Sequence, residues 1–500
     1  MPLVEELLDR SAMDLVRLVR RREVSPVEVV ETHIARIEAV NPALNAVIAE
    51  RYEQAREEAR AAERTLMRDP EADRPLLGLP FTAKEYIMAE GMPLSAGVWS
   101  RRAVRAERDA TTVQRLRAAG AILVGITNVP EGGLWMETYN DVYGRTVNPW
   151  SMEHTAGGSS GGDGAIVAAG GVPFALGADV GGSIRIPAAF CGTAGHKPTG
   201  RLVPNTGFWP PAGDGELSGY LVCGPLTRRT EDLMPILRVL AGPDGQDRVV
   251  RPWTLGRPEE IDLREVTVYP VESNGFVRVG EDNRQALRAA AEALRGRGAR
   301  VRTLDAPRMK RAFAIWAAMM ATGGGPSYAE VLGNGRSISP ARELLRLALG
   351  RSHHTLPALL VAGLEELLDR LPSTVDHAVA EGHALRTELE ELLGPRGVML
   401  HPPYSRPAPR HYRAMLTPLD FVCTGLFNVL ELPSTVVPLG FSGRGLPLSV
   451  QVIARRGHDH LTIAVAGALE QELGGWQRAQ PSWRLPDRYV GPCSPLHGRA

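Results

Sequence analysis

Apolar runs and charged stretches alternate along this chain, and they predict strands and helices in alternation. Residues 11–40 indicate two helices. Ser11 is placed to cap the first, and SPVE at 25–28 is a capping-box pattern with proline in the first turn of the second. Pro42 is expected to end that second helix, and residues 52–67 are expected to form a charged helix with a solvated face.

The first strong strand signals follow this helical start. LLGLPFTAK at 76–84 is apolar and ends on a lysine, and AILVG at 121–125 is a second buried strand after a helix within 103–120. Helices that alternate with apolar strands indicate an α/β fold, here a central mixed β-sheet covered by helices on both faces.

The rest of the chain continues this pattern without a repeat or a low-complexity linker. Further strands and helices are predicted at 231–241, 265–270, 282–295, 299–303, 397–400, 434–438, 448–453 and 461–473. A single large domain is therefore expected over residues 1–490, with a C-terminal tail at 491–500. Residues 305–395 are mostly helical and are expected to form a variable substrate-pocket region.

Composition excludes several classes of function. The chain has 500 residues, 44% of them hydrophobic and 23% charged, and a formal net charge of zero, so no nucleic-acid partner is indicated. Its four cysteines are scattered without a CxxC, which fits a reducing compartment. The acidic start lacks the pattern of a signal peptide, and no apolar run is long enough for a membrane span, so a cytoplasmic protein without a membrane partner is expected.

Lysine is rare in this chain. Almost all basic residues are arginine, and the three lysines are Lys84, Lys197 and Lys310. Arginine stays protonated in proteins, whereas a buried lysine can lose its proton and act as a base. Lys84, at the end of an apolar strand, is therefore a candidate catalytic base.

The densest candidate chemistry lies between residues 157 and 183. Two glycine turns, GGSSGG and GGS, carry Ser159, Ser160 and Ser183, and the small apolar tract between them predicts a helix running into a buried strand. A serine hydroxyl needs a base before it attacks a carbonyl, and neither turn contains a histidine. We expect the two turns to meet, with Lys84 drawing a proton from the attacking serine through a second serine. VGGS at 180–183 offers consecutive backbone N–H groups for an oxyanion.

These segments resemble the amidase signature family, serine hydrolases with a Ser-cisSer-Lys triad. The resemblance rests on GLPFTAKE (78–85), GAILVGITN (120–128), NPW (148–150), TAGGSSGG (155–162), GADVGGSIRIP (177–187), FCG (190–192) and GHKPT (195–199). It is strong over residues 76–230, the expected signature core, and weaker towards both ends, where PLGF (438–441) and GLPLSVQ (445–451) also match. It implies amide hydrolysis through an acyl-enzyme, without a metal or other cofactor.

The resemblance also implies a role for each matching residue. Ser183 would be the nucleophile, Ser159 the cis serine that relays the proton and Lys84 the base. The oxyanion and substrate contacts would come from Val180, Gly181, Gly182 and Gly133, and the supporting residues would be Ser160 and Arg185. Ala156, Asp163 and Glu431 depart from the usual pattern without touching the triad.

Substrate signals are weaker. Phe313, Trp316, Met319 and Met320 fall on roughly one helical face and either wall an apolar acyl or aryl pocket or pack in the core. The resemblance implies a small-molecule amide, ester or carbamate (urethane) substrate, and a homo-oligomer is left open.

Other functions compete with this interpretation. GGSSG also satisfies the GxSxG pattern of an α/β-hydrolase, although a buried strand should precede it. A non-catalytic phosphate- or nucleotide-binding module lacks support because GxxxxGK[ST] is absent. A metallohydrolase built on His458-Asp459-His460 lacks an HExxH motif. The glutamine-amidase subunit of a tRNA-dependent amidotransferase shares the signature and is the main alternative.

Overall fold

The computed structural model describes residues 2–70, 73–304, 307–368 and 372–479. Cys493 and the predicted tail at 491–500 lie outside the described residues. The strands are β1 (Val47–Glu50), β2 (Pro80–Lys84), β3 (Ile122–Thr127), β4 (Tyr139–Asn140), β5 (Gly144–Arg145), β6 (Val147–Asn148), β7 (Ser151–Thr155), β8 (Phe174–Asp179), β9 (Ala194–Lys197), β10 (Val222–Thr227), β11 (Thr267–Pro270), β12 (Arg300–Val301), β13 (Gly397–His401), β14 (Ser434–Phe441) and β15 (Pro447–Ile453).

Helices connect and cover these strands. They are α1 (Pro2–Asp9), α2 (Ala12–Arg20), α3 (Pro26–Leu44), α4 (Tyr52–Arg68), α5 (Thr111–Ala118), α6 (Gly161–Ala168), α7 (Arg185–Cys191), α8 (Leu217–Tyr220), α9 (Leu233–Leu240), α10 (Glu281–Gly296), α11 (Ala312–Thr322), α12 (Tyr328–Leu332), α13 (Pro340–Ala348), α14 (Leu356–Leu368), α15 (Pro372–Leu393), α16 (Val422–Val429) and α17 (Asp459–Leu473).

Eleven of the described strands form one mixed sheet. Its order is β1-β3-β2-β8-β10-β9-β14-β15-β13-β11-β12, while β4-β5 and β6-β7 form separate two-stranded sheets. Strand β2 runs parallel to both β3 and β8, and every residue of these three strands is buried. Both faces of the sheet are covered, because Phe174 and Leu176 of β8 belong to one core cluster and Ala175 to another. The predicted α/β fold is therefore confirmed.

Most predicted elements lie where the pattern placed them. The Ser11 side chain caps α2, and Ser25 and Glu28 form the predicted capping box at the start of α3. The predicted strand at 76–84 begins later, at Pro80, but ends on Lys84 as expected.

The predicted end of the second helix at Pro42 is wrong. Helix α3 continues through Pro42 to Leu44 and ends at Asn45, which adopts a left-handed conformation with φ of 49° and donates its N–H to Asn41 O. Proline in a last turn costs one backbone hydrogen bond, and asparagine tolerates the left-handed C-cap better than most residues. The cap residue therefore decides where the helix ends.

Helices α11 to α15 form the predicted helical region next to the sheet. Helix α11 packs against α15 and α16, and the buried Ile315 and Met319 of α11 join a core cluster with Met399 of β13. The helical region thus places one side of α11 beside the loop that follows β8.

Neither a membrane-spanning helix nor a metal-binding cluster is found within the described residues. No helix within the described residues is both long and apolar enough to cross a membrane. In the same part of the chain, no group of three or more His, Cys, Asp or Glu side chains is arranged to hold a metal ion. The three described cysteines, Cys191, Cys223 and Cys423, are buried free thiols.

Candidate active site

Lys84 occupies the carboxyl end of β2 and is fully buried. Its Nζ donates to Ser159 Oγ at 2.7 Å and to the Ala178 carbonyl at 3.2 Å. Burial lowers the pKa of Lys84 from 10.5 to about 7, against the opposing attraction of Asp163 and Asp179. The amine is therefore held in contact with a serine hydroxyl, and it changes between its charged and neutral forms near pH 7.

Ser159 and Ser160 lie in the tight turn between β7 and α6, and both are fully buried. The Gly158–Ser159 peptide bond is cis. A Cβ at Gly158 would lie 2.2 Å from the Trp135 carbonyl, so only glycine fits there. The turn is thus packed directly against the segment that carries Trp135.

The two glycine turns meet, as expected. The Ser160 N–H donates to the Ser183 carbonyl at 3.1 Å. Ser160 Oγ and Lys84 Nζ share the Ala178 carbonyl, with the Ser160 contact at 3.4 Å. Among the described residues Ser160 and Lys84 therefore meet at a common acceptor and not through a direct hydrogen bond.

Asp179 holds the loop that carries Ser183, between β8 and α7. Its carboxylate accepts the N–H groups of Gly182 at 2.6 Å and Ile184 at 3.1 Å. Gly182 has a φ of 122°, and a Cβ there would lie 2.1 Å from Thr424 Oγ1. The loop geometry thus requires glycine and is fixed by one buried carboxylate.

Arg185 neutralises that carboxylate inside the protein. Both residues are fully buried, and the Arg185 guanidinium donates to both Asp179 oxygens at 3.0 Å. Its remaining donors reach the Thr424 carbonyl, Gln451 Oε1 and Asn428 Oδ1. Although burial opposes ionisation, the Arg185 charge and hydrogen bonds hold the pKa of Asp179 well below its usual range. A charge pair this buried is stable only when its hydrogen bonds are satisfied, as they are here.

The four predicted oxyanion residues differ in what their amides do. The Gly182 N–H is engaged by Asp179. For the amides of Val180, Gly181 and Ser183, no acceptor lies in hydrogen-bonding geometry within the described part of the chain. Three of the four N–H groups are therefore free to bind a ligand.

Ser183 lines a cavity of about 280 Å³, here called the Ser183 cavity. Ser183 is 8% exposed, whereas Ser159 is fully buried. Gly158, Val180 and Gly181 also reach the wall, and most of the remainder is apolar, including Met136, Ile186, Phe313, Leu360, Met415, Leu419 and Phe421.

A second cavity of about 180 Å³, the adjoining cavity, borders the first at Val180 and Trp316. Gly133 lines this adjoining cavity, beside Tyr86, and not the Ser183 cavity. A Cβ at Gly133 would lie 2.9 Å from the Tyr86 ring. Gly133 is thus placed one cavity away from Ser183.

The predicted aromatic and methionine stripe divides between wall and core. Phe313 and Trp316 line the Ser183 cavity, and Trp316 and Met320 line the adjoining cavity. Met319 is 1% exposed and belongs to the core. Both interpretations of the stripe therefore hold for part of it.

Asp163, one of the departures from the family pattern, interacts electrostatically with Lys84. It stands in the first turn of α6, is fully buried and accepts a 2.6 Å hydrogen bond from Thr127 Oγ1. Burial raises the pKa of Asp163 to about 7, against the Thr127 hydrogen bond and the Lys84 charge. Asp163 and Lys84 are thus two buried groups whose charges influence each other.

The competing motifs have other structural roles. The strand before GGSSG, β7, pairs with β6 and bridges to Arg410, and within the described residues it lies outside the central sheet, so the turn is not an α/β-hydrolase elbow. Asp459 is buried and accepts hydrogen bonds from His196 Nε2 at 3.1 Å and Thr199 Oγ1 at 2.6 Å. Its carboxylate joins α17 to β9 and to the segment that follows β9.

Sequence reasoning missed three residues of this site. Asp179 stands at the end of an apolar strand just before two glycines, a signal that could have marked it as a loop-holding carboxylate. Thr424 and Asn428 lie on α16, for which no helix was predicted. Thr424 Oγ1 donates to the Gly181 carbonyl at 2.9 Å, and the Asn428 amide donates to the Asp179 carbonyl at 3.0 Å.

Comparisons with known proteins cover most of the chain. A family model described as Amidase matches residues 28–463. Fatty-acid amide hydrolase 2-A of Danio rerio is 40% identical over 95% of this chain and 91% of its own length. A glutamyl-tRNA(Gln) amidotransferase subunit of Roseiflexus sp. (strain RS-1) is 30% identical over 94% and 97%. The solved structure of 6-aminohexanoate cyclic dimer hydrolase complexed with substrate has a TM-score of 0.78 and 27% identity, over 93% of this chain and 97% of that chain.

Proposed function

This chain belongs to the amidase family and is a hydrolase acting on amide C–N bonds, and we propose that Ser183, Ser159 and Lys84 perform the reaction on amides with an apolar acyl group. The observation that carries this proposal is the 2.7 Å contact between the buried Lys84 amine and the Ser159 hydroxyl, beside the cavity that Ser183 lines.

The proposed proton path begins at Ser183. Its Oγ attacks the amide carbonyl while its proton passes to Ser159 Oγ, and the Ser159 proton passes to the neutral Lys84 amine. The protons return along the same path to the nitrogen of the leaving amine as the C–N bond breaks. A water molecule then attacks the Ser183 ester by the same relay and releases the acid. Lys84 can begin the cycle because burial brings its pKa to about 7.

The amides of Val180, Gly181 and Ser183 are proposed to stabilise the oxyanion. Loss of one such donor costs about 10²–10³-fold in kcat in other acyl-transfer enzymes. Gly182 contributes differently, because its N–H holds the loop to Asp179. Ser160 and Arg185 are proposed as supports for the two turns.

The walls of the Ser183 cavity favour an apolar acyl group. Methionine, leucine and aromatic side chains surround it, and an alkyl chain buried there would gain about 0.8 kcal/mol per CH₂. Fatty-acid amide hydrolase 2-A, at 40% identity, carries such a substrate class in its name. Gly133 is proposed to contact the substrate from the adjoining cavity.

Esters and carbamates are proposed as secondary substrates. The attack of Ser183 on a carbonyl is the same for an amide, an ester or a urethane, and only the leaving group changes. Discrimination then depends on how well the relay protonates a nitrogen compared with an oxygen. Variants with an impaired proton relay should therefore still cleave an aryl ester after they have lost amide hydrolysis.

The glutamine-amidase alternative is less well supported. A glutamine substrate presents a charged α-amino and α-carboxyl group, which need polar partners when they leave water. The Ser183 cavity offers a predominantly apolar wall instead. The similarity to the amidotransferase chain is also lower, at 30% identity compared with 40%.

Covalent labelling tests the nucleophile. We expect a fluorophosphonate to modify wild type at Ser183, and Ser183→Ala to lose both labelling and amide hydrolysis. Ser159→Ala should still fold and should lose most of its rate. Ser449→Ala is a matched control, because Ser449 is also buried but does not line the Ser183 cavity, and its hydroxyl lies 3.5 Å from the Ala189 carbonyl. A Ser183→Ala variant with near-normal hydrolysis would refute the assignment.

A substrate series tests the acyl pocket. We expect kcat/KM on acyl anilides to rise with acyl length, and free glutamine to be a poor substrate. Leu419→Trp, which fills part of the Ser183 cavity, should abolish the gain from a long acyl chain and spare the acetyl compound. If rates do not depend on acyl length in wild type, the cavity is not the acyl site.

A further inference from the structure

Trp316 joins the helical region to the loop that carries Ser183. It lies on α11, lines both cavities and donates its indole N–H to the Val180 carbonyl at 3.2 Å. Its ring packs edge-on against Phe421, with centroids 4.6 Å apart. Trp316 is thus fixed by a packed ring on one side and a hydrogen bond on the other.

The carbonyl that Trp316 holds belongs to the peptide that supplies the Gly181 N–H. In a trans peptide, the carbonyl of one residue and the N–H of the next point in opposite directions. The Val180 carbonyl turned towards Trp316 therefore turns the Gly181 N–H away from it. Within the described residues that N–H has no acceptor, and Gly181 lines the Ser183 cavity.

Without this hydrogen bond the peptide has room to rotate. Glycine tolerates backbone conformations that other residues avoid, and Gly181 and Gly182 are adjacent. The next peptide is held independently, because its Gly182 N–H donates to Asp179 Oδ1 at 2.6 Å. Within the described residues, Trp316 is therefore the side chain whose hydrogen bond holds the Val180–Gly181 peptide.

We propose that Trp316 is a positioning residue for amide hydrolysis, whose indole N–H orients the Val180–Gly181 peptide so that the Gly181 N–H serves the oxyanion. This inference rests on the proposed function of Ser183 and goes beyond it, because it gives a residue of the substrate-pocket helix a part in transition-state stabilisation. A rotated peptide would present a carbonyl oxygen, and not an N–H, to the developing negative charge.

The test separates positioning from pocket lining by acyl length. Trp316→Phe removes the N–H and keeps an aromatic ring. Trp150→Phe is the matched control, since the Trp150 indole also donates to a carbonyl, that of Cys191 at 2.7 Å, and its ring also packs edge-on against a phenylalanine, but it lines neither cavity. On an acetyl anilide, whose acyl group is too short to depend on the distal wall, we expect Trp316→Phe to lower kcat by about 10-fold or more, with KM nearly unchanged. A decanoyl anilide should show the same factor. Trp150→Phe should leave kcat on both compounds unchanged.

Two further measurements keep the proposal falsifiable. If Trp316→Phe folds poorly, benzothienylalanine at position 316 replaces the indole N–H by sulfur with almost the same shape and should show the same loss of kcat. Binding of an alkyl trifluoromethyl ketone, which forms an oxyanion with the serine, should weaken by a similar factor, whereas the matching alcohol should bind as in wild type.

The outcomes distinguish this proposal from the function on which it rests. A kcat on acetyl anilide within twofold of wild type, or a loss confined to decanoyl anilide, overturns the role of Trp316 while Ser183→Ala remains inactive. Retained hydrolysis in Ser183→Ala would instead overturn the proposed function.

Discussion

Replacement of Lys84 by methionine should abolish hydrolysis and at the same time stabilise the fold near neutral pH. The amine is fully buried, and its pKa falls from 10.5 in the unfolded chain to about 7. At pH 7 folding must therefore release about half a proton from the amine and bury the charge that remains. Methionine has a similar length and no charge to desolvate.

The size of the effect follows from that pKa difference. One pKa unit is about 1.4 kcal/mol, so the shift corresponds to a cost of about 5 kcal/mol near pH 7. Methionine removes this cost but loses the hydrogen bonds to Ser159 Oγ and the Ala178 carbonyl, worth about 1 kcal/mol each. We therefore expect a net gain of about 2–3 kcal/mol in the free energy of unfolding.

The pH dependence gives this prediction its sign. Because the folded pKa lies below the unfolded pKa, the cost is complete below about pH 7, declines as pH rises, and is absent above about pH 10.5. The advantage of Lys84→Met over wild type should therefore shrink as pH rises from 7 towards 10. In wild type, kcat/KM should fall as the amine becomes protonated below about pH 7.

Urea unfolding at about pH 7 and about pH 9.5, with hydrolysis of an acyl anilide, measures both effects. Loss of a general base typically costs about 10²–10⁴-fold in rate, and Lys84→Met should lose at least that. Lys84→Arg is the control, because it keeps a cation and should lose both activity and stability. A methionine variant that is no more stable than wild type at pH 7, or whose advantage grows with pH, would refute this account of Lys84.

Three further predictions concern the surroundings of the site. Arg185→Met should lower the free energy of unfolding by about 3–5 kcal/mol in urea titrations, because Asp179 is left buried without its cation; an unchanged midpoint would contradict this. Gly182→Ala should lose its fold or its activity, since the new Cβ would lie 2.1 Å from a threonine hydroxyl, whereas Gly181→Ala meets nothing closer than 3.4 Å and should fold normally by circular dichroism. Asp163→Asn should move the acidic limb of kcat/KM to lower pH, because the Asp163 charge raises the pKa of the buried lysine; a shift to higher pH would refute that interaction.

Strands could be predicted where their sequence is a continuous apolar run. They could not be predicted where the sequence contains turn-forming residues and packing in the fold nevertheless holds them as strands. Strands β2, β3 and β8 are buried on both faces and appear as apolar runs. Strands β9 and β10 were missed because AGHK contains a glycine and VCGPLT a glycine and a proline, residues that usually end strands. In the structure, a Cβ at Gly224 of β10 would lie 2.2 Å from the His196 carbonyl of β9. The glycine that resembles a turn signal is what allows the two strands to approach.

Within the site, residues that lie close together in the sequence could be predicted, whereas residues from a distant part of the chain could not. The two serine turns and Lys84 lie within 100 residues of one another and carry recognisable glycine patterns. Thr424 and Asn428 stand about 240 residues further along the chain, on a helix whose sequence, VCTGLFNV, has no strong periodicity. They reach Asp179 and Gly181 only because β14 pairs with β9 in the sheet. Side chains that the sheet topology brings to a site from a distant part of the chain leave no signal in the sequence around them.

The buried lysines and the buried Arg185 differ in the number of acceptors that surround them. Arg185 is buried with at least four different acceptor groups around its guanidinium, as a permanent charge requires. Lys84 and Lys197 are buried with far fewer: Lys84 has a hydroxyl and one carbonyl, and Lys197 contacts the Pro198 carbonyl at 2.8 Å. Burial lowers the pKa of both lysines to about 7, so each can be neutral in a place where an arginine would remain charged. The third lysine, Lys310, is exposed. In a chain that otherwise uses arginine, two of the three lysines therefore occupy positions where burial favours a neutral amine, and within the described residues a serine hydroxyl contacts Lys84 but not Lys197.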